Sequence, residues 1–128
     1  TFNFDSSGGS TFKLALYTDI SGLTTSTTAF TTSNEVSTSG TSYSSGGNTL
    51  TNNGVAVSSN IAFVDFADLT FSSVTLSAVG ALIYKSGGSN EAVLVLDFGG
   101  TKTATNGDFV VQFPTASNSA AIIRLGNA

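Results

Sequence analysis

Asp65 and Asp68, three positions apart, are the first residues here that could do chemistry together. Paired carboxylates can share acid–base work or hold a divalent cation, but an acid needs a partner and a cleft to move its pKa. No third such group stands nearby, and on a strand these positions face opposite sides unless a bulge intervenes. A polar edge or turn contact is the expected role. Asp97 and Asp108 bracket a stretch that supplies Asn106 and carbonyl oxygens, the raw material of a calcium loop. The stretch lacks the alternating Asp/Asn spacing of a dedicated loop, so Asp97 is expected to accept from amides of its own turn. The run Gly99-Gly100-Thr101-Lys102-Thr103 superficially suggests a phosphate loop. It has Thr, not Gly, directly before the lysine, and a strand pattern follows where a helix is required.

The missing residue types are equally informative. The chain has no His and no Cys. Ser-His-Asp and Cys-His nucleophile systems are therefore excluded, as are disulfides and thiolate metal sites. Exposed Ser and Thr without a base are weak nucleophiles. The expectation is a non-enzymatic protein that needs no cofactor and no metal. Aromatic residues offer a different function, that of contact. Most of the 10 Phe fall at period two, the spacing of a core, but Tyr43 stands in a polar stretch and is the aromatic to watch for stacking on a ligand or partner. Phe2 and Phe4 alternate with Asn3 and Asp5 ahead of Ser6-Ser7-Gly8-Gly9-Ser10, an apolar pair on a tether. Phe2, Phe4 and Tyr43 are the candidate interface residues.

Charge narrows the partners. Charged residues make up 9% of the chain and the net charge is −4. A nucleic-acid backbone requires clustered Lys or Arg, whereas Lys13, Lys85, Lys102 and Arg124 are scattered. No apolar run approaches the roughly 20 residues of a membrane helix. Ser and Thr, about 30% of the residues, carry the polarity instead. So weakly charged a surface is a liability for a free monomer and suits a protein held in an assembly, with a homo-oligomer expected.

The elements that must position these groups are strands. Phe12, Leu14 and Leu16 alternate with polar or small residues, as do Phe109, Val111 and Phe113. Val79–Tyr84 and Ala92–Phe98 are apolar on both faces and read as central strands, covered on each side. Ile61–Phe71 switches register, which a bulge or bend near Asp65–Asp68 would reconcile; Val74–Ala78 and Ala121–Leu125 read as shorter strands. Ser86-Gly87-Gly88-Ser89 signals a hairpin, and Asn53-Gly54 and Asn106-Gly107 signal turns. Residues 21–53 form a long polar loop region, anchored by Phe30, Val36, Tyr43 and Leu50 and therefore expected to be ordered. About eight short strands and no helical segment predict an all-β antiparallel sandwich, jelly-roll or immunoglobulin-like. Its expected core is Leu14, Leu16, Phe63, Leu82, Val93, Val95, Phe109, Val111 and Phe113. The division is an N-terminal arm over 1–11 and one domain over 12–128.

Several strings carry a resemblance. They are Val64-Asp65-Phe66-Ala67-Asp68, Gly80-Ala81-Leu82-Ile83-Tyr84, Val95-Leu96-Asp97-Phe98-Gly99-Gly100-Thr101-Lys102, Gly107-Asp108-Phe109-Val110-Val111-Gln112-Phe113-Pro114 and Ala121-Ile122-Ile123-Arg124. Together with Phe12-Lys13-Leu14-Ala15-Leu16-Tyr17-Thr18, and with Ser33-Asn34-Glu35-Val36, Tyr43 and Gly46-Gly47, they resemble small virion proteins of tailed bacteriophages. The resemblance spans about residues 12–125 and brings no catalytic residues with it. It implies a virion component: a capsid cement or decoration protein on the phage head, bound to the major capsid protein. A tail or neck component, and a carbohydrate-binding module with exposed aromatics, are the alternatives.

Overall fold

A computed structural model describes residues 9–24, 26–58, 61–113 and 123–126. They form seven strands and no helix. These are β1 (Phe12–Tyr17), β2 (Asn48–Thr49), β3 (Asn52–Ser58), β4 (Ile61–Phe66), β5 (Leu69–Lys85), β6 (Ala92–Val111) and β7 (Ile123–Gly126). One sheet has four strands in the order β2-β1-β5-β6, the other three in the order β3-β4-β7. Every strand pairing is antiparallel and neither sheet closes on itself.

The larger sheet is built around the β5–β6 hairpin, whose turn spans Ser86–Asn90 as the Ser-Gly-Gly-Ser signal predicts. The Asn90 N–H donates to Gly87 O at 3.0 Å, and the Gly87 N–H to Asn90 Oδ1 at 2.9 Å. Leu14 pairs with Ile83 and Leu82 with Val95, so β5 is covered on both edges. Its Ala81–Tyr84 stretch is buried on both faces, as its two-sided apolar pattern requires. One face carries Leu14, Leu16, Leu76, Ile83 and Phe109; the other carries Ala15, Tyr17, Leu82 and Tyr84 under Ile20, Leu23 and Phe30. Phe66, closing β4 of the smaller sheet, meets Phe12 of β1 edge to face at 5.8 Å and ties the two sheets to one core.

Several expectations are corrected. Ala92–Phe98 does not form a central strand: among the described residues β6 is the edge of its sheet, and Ala92–Leu96 are only half-buried. Val93, Val95 and Phe113 accordingly pack at the margin of the core, whereas Leu14, Leu16, Leu82, Phe109 and Val111 are buried. The Phe63 side chain lies outside the described residues. Val74–Ala78 is not a separate strand, because β5 runs unbroken for 17 residues. Asn106-Gly107 does not open a strand and Gly99-Gly100 does not end one; both lie inside the 20 residues of β6.

Bulges explain that length. Between the pairs Phe71↔Phe109 and Val74↔Gly107, β5 has one extra residue, and Ser73 takes φ 54°. Between Val74↔Gly107 and Leu76↔Ala104 the extra residue is on β6, where Asn106 takes φ 52°. The two offsets cancel, so register is recovered past the kink. A wider insertion holds Phe98–Thr101 between Ala78↔Lys102 and Gly80↔Asp97. Residues with positive φ thus serve bulges here, although the same residues signal turns. Asn53-Gly54 behaves likewise, in a bulge of β3 with Gly54 at φ 98°.

Candidate functional site

The polar stretch before β2 is organised by Glu35, the only charged residue between Asp19 and Asp65. Backbone pairing sets its place. The Thr18 N–H donates to Asn34 O at 2.8 Å and the Val36 N–H to Leu16 O at 2.9 Å, so residues 34–36 lie along the end of β1. Asn34, at φ 63°, makes the turn into this pairing. The carboxylate then collects three donors. Tyr43 Oη donates to Oε2 at 2.7 Å, the Gly46 N–H to Oε2 at 2.7 Å, and Ser45 Oγ to Oε1 at 2.8 Å. The other tyrosines seal the same cluster. Tyr84 Oη donates to Gly46 O at 2.7 Å, and Tyr17 Oη donates to Thr31 O at 2.6 Å.

The electrostatics follow from burial beside an anion. Burial first, and then the Glu35 charge, push the Tyr17 phenol up to about 12. The same order of causes raises Tyr84. Burial also pushes Tyr43 well above the ordinary phenol range, with its bond to Glu35 adding to the rise. All three rings stay protonated at neutral pH, and each keeps its proton as a donor. The carboxylate is occupied by donors from its own chain, so the cluster acts as a latch on the polar loop.

Tyr43 is therefore not where an exposed, partner-facing aromatic would be. It is 3% exposed, and its oxygen also accepts the Leu16 N–H at 3.0 Å. Phe2 and Phe4 lie outside the described residues. The acids are kept apart. Asp68 Oδ1 accepts the Phe113 N–H at 2.8 Å, Asp97 Oδ1 the Gly99 N–H at 2.8 Å, and Asp108 Oδ1 the Ser73 N–H at 3.3 Å. Asp97 stands opposite Gly80 and Asp108 beside the Ser73 bulge, on the order of 20 Å apart along the sheet. Among the described residues no cluster of three or more acids gathers to hold a metal. The Gly99–Thr103 run lies within β6 and forms no phosphate cradle ahead of a helix.

The remaining feature that could engage another molecule is the outer side of β6. The opposite margin of this sheet is closed: β2 pairs with Lys13 and Leu14, and residues 34–36 follow along the end of β1. On β6, by contrast, only the first residues are covered among the described residues. The Phe30 N–H donates to Asn90 O and the Ala92 N–H to Thr28 O, at 2.8 and 2.9 Å. Beyond them, two clefts adjoin the strand. One, of about 450 Å³, lies between Leu23, Thr24 and Thr27 and the Ala92–Val95 stretch, with Leu82 at its floor. The other, of about 370 Å³, adjoins Phe98, Lys102 and Phe109–Gln112, where Val110 is 48% exposed.

Sequence reasoning missed both features. A single acid in a long neutral stretch close to a tyrosine is the signal that points to Glu35. Two-sided apolar character points to β6, but it reads equally well as a central strand. The chain matches no family model, and no curated protein or solved structure is significantly similar to it.

Proposed function

We propose that this chain is a non-enzymatic structural protein of a tailed-bacteriophage virion, a cement or decoration protein that self-associates and stabilises the head through the major capsid protein. The two antiparallel sheets sharing one core are read as the layers of a β-sandwich. The observation that carries the functional reading is the long β6 edge. From Val93 to Leu96 it is apolar on both faces and bears no charge, Pro or covering strand among the described residues. Free-standing proteins blunt such edges; proteins that work by assembly use them. The low charge of the chain, 9%, and its resemblance to virion proteins agree with this reading.

The carbohydrate-binding alternative is weakened by the aromatic rings. Every ring whose side chain is described is buried or half-buried, so none forms an open stacking platform. Imaging of particles from the phage that encodes the chain tests the proposal. Density for the protein repeating over the head lattice is expected. A few copies confined to the neck or tail would instead select the tail role, and binding on a glycan array with no particle association would overturn the virion reading.

A further inference from the structure

We infer that the Val93–Leu96 stretch of β6 and the groove beside it form the receptor for the Phe2–Asp5 segment of a second copy of this chain. The inference rests on the self-associating role proposed above and names its contact.

The edge is incomplete as it stands. On its inner side β5 buries Ala81–Ile83 completely, while their partners Leu96, Val95 and Leu94 remain half-exposed. A strand apolar on both faces is built to have a neighbour on each side. Alternate residues of such a strand turn their N–H and C=O groups outward, where an added strand takes them up. The groove supplies the side-chain half of the recognition. Leu23 and Val95, which pack with Leu82 on one face of the sheet, make its apolar walls and floor, and the Thr24 and Thr27 hydroxyls its rim.

The occupant follows from the chain's own sequence. Phe2 and Phe4, separated by Asn3, fall on one face of an extended segment, about 7 Å apart, and both can enter one groove. The source as a second copy follows from the topology. Thr11 O accepts the Ser86 N–H at the turn end of the hairpin, with β5 between β1 and β6. A segment returning from there to its own edge must descend where residues 28–30 already pair with residues 90–92. That slot is taken. A second molecule approaches from the open side and meets no such obstacle.

The absence of cysteine in the chain makes a clean cross-linking test possible. Full-length chains carrying Phe4→Cys are mixed with differently tagged chains carrying Val95→Cys and oxidised. Disulfides joining the two tags are expected, with none when Thr75→Cys replaces Val95→Cys. Thr24→Lys, on the exposed rim of the groove, should weaken self-association about tenfold while the melting temperature stays near that of the parent chain. No mixed product overturns the inference. So does closure within single chains that carry both cysteines at high dilution, which would assign the segment to its own edge. Head binding is measured separately. Cross-linking without head binding sinks the virion role alone, and head binding without cross-linking sinks this contact alone.

Discussion

Glu35 and Tyr43, eight residues apart in the polar stretch, meet at 2.7 Å through Oε2 and Oη, and the same carboxylate takes up the Gly46 amide. Three bonds to one anion tie two parts of the polar loop together beside β1. Bonds to a charged acceptor contribute about 1.5–3 kcal/mol each, net of exchange with water, and less where solvent reaches them. Because Glu35 is half-buried, we expect Glu35→Ala to cost about 2–4 kcal/mol in total in denaturant unfolding. Glu35→Gln should destabilise less, since its amide can donate to Ser45 Oγ while its oxygen keeps Tyr43 and Gly46, and only the charge is lost. If both variants unfold with the parent, the latch has no energetic role.

The tyrosines fix the response to alkali. Tyr17 is pushed up to about 12 from the ordinary 10.0, by burial and by Glu35. In this window the unfolded chain releases the phenolic proton and the folded chain keeps it, so stability is complete below about pH 10 and falls as pH rises toward the folded value. Each such tyrosine should steepen the loss by about 1.4 kcal/mol per pH unit. Unfolding midpoints that begin to drop near pH 10, together with the appearance of tyrosinate absorbance, are the expected result. A midpoint that stays flat to about pH 11 would show that the rings ionise without penalty in the fold.

Gly47 tests the close packing of the loop on β1. Its φ is +75°, and an added Cβ would stand 1.8 Å from Leu14 O. The obstacle is backbone, so it cannot turn aside. Gly47→Ala is expected to cost more than about 4 kcal/mol or to prevent folding. Gly87, at φ +98° with nothing within 4 Å, is the control: alanine there should cost only the left-handed strain of about 1–2 kcal/mol. Equal melting temperatures for the two variants would mean that the loop does not rest on Leu14.

Much of this fold can be read from the residues themselves, and the failures have one physical origin. Period two reveals β1 and the end of β6, and two-sided burial reveals Ala81–Tyr84, because side-chain alternation is local. The hairpin turn is legible for the same reason. Edge or centre is not, since Val79–Tyr84 and Ala92–Phe98 carry the same pattern and differ only in which distant segments reach them. Asn106-Gly107 and Gly99-Gly100 announce positive φ, but a bulge and a turn use it alike. Glu35 is hidden more deeply: its role depends on the path that brings Ser45 and Gly46 back to it, which no spacing encodes.

The aspartates supply the last test. Chelation should leave the protein unchanged, because the acids that might have held calcium are engaged otherwise. Asp97 accepts the Gly99 amide at the insertion within β6, Asp68 holds the Phe113 amide, and Asp108 reaches across to the Ser73 bulge. An ion needs six to eight oxygens converging on one point, and these carboxylates lie at separate places along the sheet. A melting temperature that is the same in EDTA and in millimolar calcium is therefore expected. Removing the side chains should instead act locally: Asp68→Ala should cost about 1 kcal/mol, the worth of one exposed bond to an amide. A fall of many degrees in EDTA that calcium restores would show that the acids converge on an ion.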